Sequence, residues 1–124
     1  MIVLDTNVLI EILKGNPGTL EIIGQLNETP AISTITAMEL LYGALNKQEL
    51  LQLEKFISHF EHLHLNEDIS GIAFKLIRNY AKSHTLDIPD SLIAATAMYY
   101  KAALFSYNIK DFRFIPRLEL HPVY

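Results

Sequence analysis

Asp5, Glu39, Asp90 and Asp111 are the side chains best suited to chemistry. Each falls at or near the start of a predicted helix or turn. Ile2, Val3 and Leu4 read as a short strand buried on both faces, and Val8, Leu9, Ile12 and Leu13 then recur at helical spacing. Asp5 therefore marks the point where a buried strand stops and a helix begins. In a parallel α/β sheet that edge is where ligands bind. A carboxylate there can cap the helix, or it can serve as a metal ligand or catalytic group. Glu39 closes the capping-box pattern Thr36-x-x-Glu39. Asp90 follows Asp87 by three residues, which suits Asp87 as an N-cap and Asp90 as a first-turn acid. Asn108 and Asp111 share a polar loop after a strand, and a helical turn over 108–111 would put both on one face.

Each acid has a separate structural explanation. A common site makes a further demand. Carboxylates brought together repel, so cations must bind or at least one group must have a raised pKa. Oxygen ligands in a chain without cysteine select Mg²⁺ or Mn²⁺ over zinc. His62-x-His64 could chelate a metal from one strand face, but no third ligand at convincing spacing accompanies it.

The elements that must position these groups alternate along the chain. The first helix is expected to end near Gly15, a residue suited to a left-handed cap, with Pro17 blocking continuation. A second short helix covers Leu20, Ile23 and Leu26, and Ala31-Ile32-Ser33 reads as the second strand. The next helix carries Glu39, Tyr42 and Gly43. Tyr42 is expected in the core or a groove wall, and Gly43 in mid-helix suggests a close backbone approach. Leu50, Leu53, Phe56 and Ile57 mark another amphipathic helix, and residues 61–65 alternate like an edge strand. The longest helix is expected over residues 67–84. Pro89 fits the first turn of a helix whose alanines allow close packing on a sheet, followed by a buried strand at 103–106 and a last short strand near 118–120. Strands alternating with helices predict an α/β fold: a mostly parallel sheet, helices on both faces, the first strand central.

The length of 124 residues suits one domain over 1–124, and 50% hydrophobic residues suffice for its core. No linker, repeat or low-complexity tract interrupts it. The start lacks the basic region and unbroken apolar run of a signal peptide, and residues 92–105 are too short to span a bilayer. A soluble cytoplasmic protein is expected, with no membrane partner. The net charge of −4 gives no general attraction to nucleic acid, so any such binding would need a local basic patch or bound cations. Lys101, Lys110, Arg113 and Arg117 gather in the C-terminal quarter; phosphate contact and ordinary surface charge both fit them.

Four motifs occur in order: Asp5-Thr6-Asn7, Thr36-x-x-Glu39-Leu40-x-Tyr42-Gly43, Pro89-Asp90-Ser91-Leu92-Ile93-Ala94-Ala95-Thr96-Ala97 and Asn108-x-x-Asp111-Phe112. Together they resemble PIN-domain ribonucleases, specifically the VapC-type toxins of toxin–antitoxin pairs. The resemblance implies a PIN-like fold, acids that bind Mg²⁺ or Mn²⁺, cleavage of RNA phosphodiester bonds, homodimers and inhibition by a cognate antitoxin. It makes Asp5, Glu39 and Asp90 the main acids. Ser106 stands where many relatives have threonine and Asn108 where some have aspartate, so Asp111 would supply the fourth carboxylate, with Thr6, Ser106 and Asn108 supporting. Two alternatives are a PIN-fold binding module without activity and a receiver-like signalling domain, for which Lys110 is a poor match.

Overall fold

Strand residues alternate between two faces, and that alternation divides the core in two. The computed structural model describes residues 1–122. Strands β1 (Ile2–Leu4), β2 (Pro30–Ser33), β3 (Glu61–Leu63) and β4 (Ala103–Phe105) form one sheet in the order β3-β2-β1-β4. Every pairing among them is parallel. β1 is an inner strand and β3 an edge strand, as expected. Ile2, Leu4, Ile32 and Phe105 point to one face, where α1 (Thr6–Leu13), α3 (Thr34–Tyr42) and α4 (Lys47–Ile57) bury Val8, Leu9, Ala37, Leu40 and Ile57. Val3, Ala31, Leu63 and Leu104 point to the other, under α5 (Glu67–Tyr80) and α6 (Ile88–Tyr99). α2 (Pro17–Gly24) packs beside α1. Each fully buried Leu, Ile or Phe contributes roughly 1.5–3 kcal/mol of transfer free energy. Ala94, Ala95 and Ala97 of α6 are fully buried, the close packing that their small side chains permit.

Several boundaries differ from expectation. Ser33 ends β2 and caps α3 directly, its hydroxyl accepting the Ile35 N–H at 3.1 Å. No loop intervenes, so the helix starts before Thr36 and Glu39 lies in its second turn. The Thr36 capping box does not form. Gly43 is the C-cap of α3 with an ordinary right-handed backbone, and a Cβ there would meet only carbonyls of its own helix. Tyr42 is 94% exposed rather than in the core. α5 stops at Tyr80, short of residue 84. The chain turns there through Thr85 at φ 52°, while His84 stacks on Phe114 at 4.2 Å between centroids. Near the C-terminus a single bridge joins Leu120 to Leu104 in place of a strand. Gly15 has φ +74° just after α1, as its capping role requires.

Asn66 caps α5, its side-chain oxygen accepting the Ile69 N–H at 2.8 Å. Asn66→Ala should cost about 1 kcal/mol of folding stability, and Asn66→Ser much less. Urea unfolding of the two variants beside wild type measures this; equal midpoints for Asn66→Ala and wild type would remove the cap from the account.

Candidate active site

Parallel strands end together, and here their ends carry the polar groups. β1 ends at Leu4 and Asp5 follows; β4 ends at Phe105 and Ser106 follows. The Asp5 N–H bonds to the Phe105 carbonyl at 2.9 Å, which extends the ladder one step and aligns the two side chains. Asp5 is 4% exposed. Its Oδ1 accepts the Thr6 N–H at 2.8 Å. Its Oδ2 accepts the Ser106 hydroxyl at 2.7 Å and Asn7 Nδ2 at 3.2 Å. Asp5 thus caps α1 and also faces the sheet edge. Ser106 Oγ in turn accepts the Asn108 N–H at 3.0 Å, which ties the following loop to Asp5.

Glu39 comes from α3. The Thr6 hydroxyl donates to its Oε1 at 2.7 Å and lies 3.1 Å from the buried Thr36 Oγ1. Asp90 comes from the first turn of α6, where its N–H donates to Asp87 Oδ1 at 2.9 Å, as the predicted N-cap requires. No strand precedes α6 closely. Instead α6 runs into β4 across a three-residue connection, 100–102. A helix leading into a parallel strand runs opposite to it, so its N-terminus returns to the edge where strands end. Asp111 lies in a 3-10 turn, Ile109–Asp111. Asn108 begins that turn, but its side chain makes no capping bond; its N–H donates to Ser106 Oγ and its carbonyl accepts the Asp111 N–H.

The acids affect one another. Burial raises the Asp5 pKa against the opposing hydrogen bonds of Ser106 and Thr6, and the charges of Glu39 and Asp111 add to the rise. Asp90 is pushed up to about 7, chiefly by burial, then by Asp87, Asp5, Asp111 and Glu39. The raised proton affinity expected of a shared site is therefore present. Among the described residues the only ion pairs are Met1–Glu28 and Lys14–Glu11, so no lysine or arginine neutralises the cluster. Nor, among them, are three acidic or histidine side chains grouped to ligate one ion. The carboxylates share a region and a field, and those of Asp5 and Glu39 are held by hydrogen bonds of their own. All-oxygen donors and uncompensated negative charge suit a hard divalent cation. His62 is engaged otherwise: its Nε2 lies 2.8 Å from Thr34 Oγ1, and its ring stacks on His64 at 4.3 Å. Burial and then His64 lower its pKa.

Sequence reasoning passed over Asn7 and Thr36. Asn7 bonds to Asp5 and Ser106 and accepts the Tyr107 N–H at 3.2 Å. Its place in Asp5-Thr6-Asn7 was the available signal. Lys101 and Arg117 line a separate cavity with Glu119 that includes none of the four acids.

The PIN-domain family model matches residues 2–118. The chain belongs to the PIN-domain family. Ribonuclease VapC19 of Mycobacterium tuberculosis is 35% identical over 123 residues, covering 96% of this chain and 98% of that protein. Ribonuclease VapC of Rickettsia bellii is 32% identical, with 96% and 93% covered. Among solved structures, VapBC2 from Rickettsia felis bound to a promoter DNA fragment matches with a TM-score of 0.82 at 32% identity over 98% of both chains. A toxin–antitoxin complex from Klebsiella pneumoniae matches at 0.81 and 29% over 95% of both. The parallel sheet flanked by helices is the PIN-like fold, and this membership displaces the receiver-like alternative. No helix among the described residues is long and apolar enough to cross a membrane.

Asp90 makes stability depend on pH. The folded protein holds this proton more tightly than an unfolded chain, whose pKa is near 3.8. Its contribution is full below that value and is lost as pH rises through about 7. His62, with a lowered pKa, acts oppositely: its contribution is full above 6.5 and is lost as pH falls below that value. In chelator, Asp90→Asn should therefore destabilise less than wild type does between about pH 5 and pH 8. Thermal melts across that range give the difference; parallel curves would mean that neither burial nor its neighbours raise the Asp90 pKa.

Proposed function

We propose that this PIN-domain protein is a Mg²⁺- or Mn²⁺-dependent endoribonuclease and the toxin of a toxin–antitoxin pair. The observation that carries it is the buried carboxylate of Asp5, placed among Glu39, Asp90 and Asp111 at the sheet edge with no basic partner among the described residues. The relatives named ribonuclease VapC support RNA as the substrate.

Asp5, Glu39, Asp90 and Asp111 would hold the metal. A bound divalent cation supplies Lewis-acid stabilisation of charge on the scissile phosphate and increases the acidity of water. The protein's own groups do the rest. Ser106, Thr6 and Asn7 fix the Asp5 carboxylate, and Thr6 fixes Glu39, so ligand orientation is set before substrate arrives. One carboxylate takes the proton of the attacking water. Asp90, pushed up to about 7, has a proton affinity suited to that role. Asn108 orients a water or phosphate oxygen, and Asp111 supports cation binding.

An antitoxin is the proposed partner. Met38, Tyr42 and Leu45 are 57%, 94% and 86% exposed, and Met38 adjoins Glu39 in sequence, so an apolar face lies beside the acids. A partner segment would lay apolar side chains there and extend a basic side chain toward Asp5 and Glu39. The matched toxin–antitoxin complexes support such a partner. We further propose one domain over 1–124, a homodimer, and action in the cytoplasm, where its RNA substrate is; Val123 and Tyr124 lie outside the described residues.

Asp5→Asn keeps a capping oxygen and removes the charge, so it should cut Mg²⁺-dependent RNA cleavage at least about a hundredfold in a folded protein. Asp111→Asn should lower it about tenfold and raise the Mg²⁺ needed for half-maximal rate. Cleavage assays on partner-free protein, with and without chelator, check both. Equal cleavage by wild type and Asp5→Asn would overturn the assignment, and undiminished cleavage with the co-purified partner would overturn the pairing.

A further inference from the structure

Beside the acids lies a cavity of about 380 Å³ bounded by Asn7, Glu11, Asn16, Thr19, Ile22 and Tyr107. That size suits a small organic ligand. None of the four acids lines it, but Asn7 belongs to both regions. Its Nδ2 donates to Asp5 Oδ2, and its Oδ1 accepts the Tyr107 N–H. A group in the cavity is therefore one residue away from Asp5.

Two features give the cavity chemical character. The first is a fixed ring. The Tyr107 hydroxyl lies 2.6 Å from Oγ1 of the buried Thr19, and its ring meets Phe105 edge-to-face at 5.3 Å. Tyr107 nevertheless remains 37% exposed. An aromatic ring that is pinned but accessible is a stacking platform for a nucleobase. The second is a row of polar atoms. Asn16 Nδ2 donates to Glu11 Oε1 at 2.9 Å, while Asn16 Oδ1 is occupied by the N–H groups of Gly18 and Thr19. Asn16 thus presents only its remaining N–H, and the ionised Glu11 beside it presents only acceptors. The Asn16 bond, foremost, keeps the Glu11 carboxyl below its ordinary pKa. Lys14 lies 3.5 Å from Glu11 Oε2, but at 67% side-chain exposure it is a solvated partner that yields to a better-placed donor.

The row therefore reads donor, acceptor, acceptor. Guanine offers the complement along its Watson–Crick edge: the O6 acceptor, then the N1–H and N2–H donors. Adenine and cytosine each offer one donor on that edge, and uracil would set a carbonyl against Glu11. We propose that this cavity binds the base of the RNA nucleotide next to the scissile phosphate and selects guanine, with Tyr107 stacking and Asn16 and Glu11 reading the edge. The assignment rests on the ribonuclease reading for its substrate and on the cavity for its specificity.

The test has two arms. In the first, a random-sequence RNA pool is cut in Mg²⁺ by wild type and Glu11→Gln, and the bases beside the cuts are counted. Guanine should be enriched about fivefold or more in wild type and fall to within about twofold of the other bases in Glu11→Gln, because one acceptor becomes a donor. No enrichment in wild type, or the same enrichment in Glu11→Gln, overturns the proposal. In the second arm, the four nucleosides are titrated into protein held in chelator and followed by NMR. Guanosine should bind about tenfold tighter than the others; Tyr107→Phe should retain this and Tyr107→Leu lose it. Equal binding of all four overturns the proposal, as does occupation of the cavity by the antitoxin segment with no nucleoside competing. If wild type cuts no RNA, the ribonuclease reading fails and the second arm alone decides the cavity.

Discussion

The structure depends on holding one carboxylate where it is nearly out of water. Asp5 follows an inner strand and is 4% exposed. Burial favours its neutral form, and the hydrogen bonds from Ser106 and Thr6 favour its charge. Those donors exist because β1 and β4 are parallel and adjacent, so that the residues following them stand side by side. An antiparallel pairing would put the start of β4 there, with Ala102 and Ala103 in place of Ser106. The sheet is thus arranged around an electrostatic requirement as well as a hydrophobic one.

The same requirement extends outward. Thr6 serves Asp5 through its N–H and Glu39 through its hydroxyl. Ser106 serves Asp5 and anchors the loop that carries Asp111. Asn7 joins Asp5 to Tyr107. Three short polar side chains thereby connect acids from three parts of the chain. The strain that remains is concentrated at Asp90, from its burial first and then from the charges of Asp87, Asp5, Asp111 and Glu39. Under the proposed metal-dependent function a bound cation would relieve this strain, since its positive charge offsets the repulsion among the carboxylates.

The exposed apolar residues of α3 and the polar cavity beside α1 lie on different elements around these acids. In the proposed function, inhibition by a partner and choice of RNA sequence would therefore draw on different surfaces while meeting at Asp5. A change at Met38 or Tyr42 need not disturb Glu11 or Tyr107, so the two properties can vary separately between relatives.

The sequence by itself determined what near neighbours control. The Ile2–Leu4 strand, the cap at Asp5, the left-handed Gly15, the Asp87 cap and the buried alanines of α6 all follow from side-chain periodicity and from bonds within a few residues. Four polar motifs in order also carried the family. A local signal failed at α3: the capping box read at Thr36 does not form, because no loop follows β2 and Ser33, at the strand end, caps the helix. Tertiary structure alone decided the rest. It brought Asp90 to the sheet edge through the helix that leads into β4. It placed Ser106 on Asp5 across a separation of 101 residues and Tyr107 on Thr19 across 88. Periodicity and capping act over one or two helical turns, whereas these contacts require the strand order and the packing of both faces, which no single stretch of chain encodes.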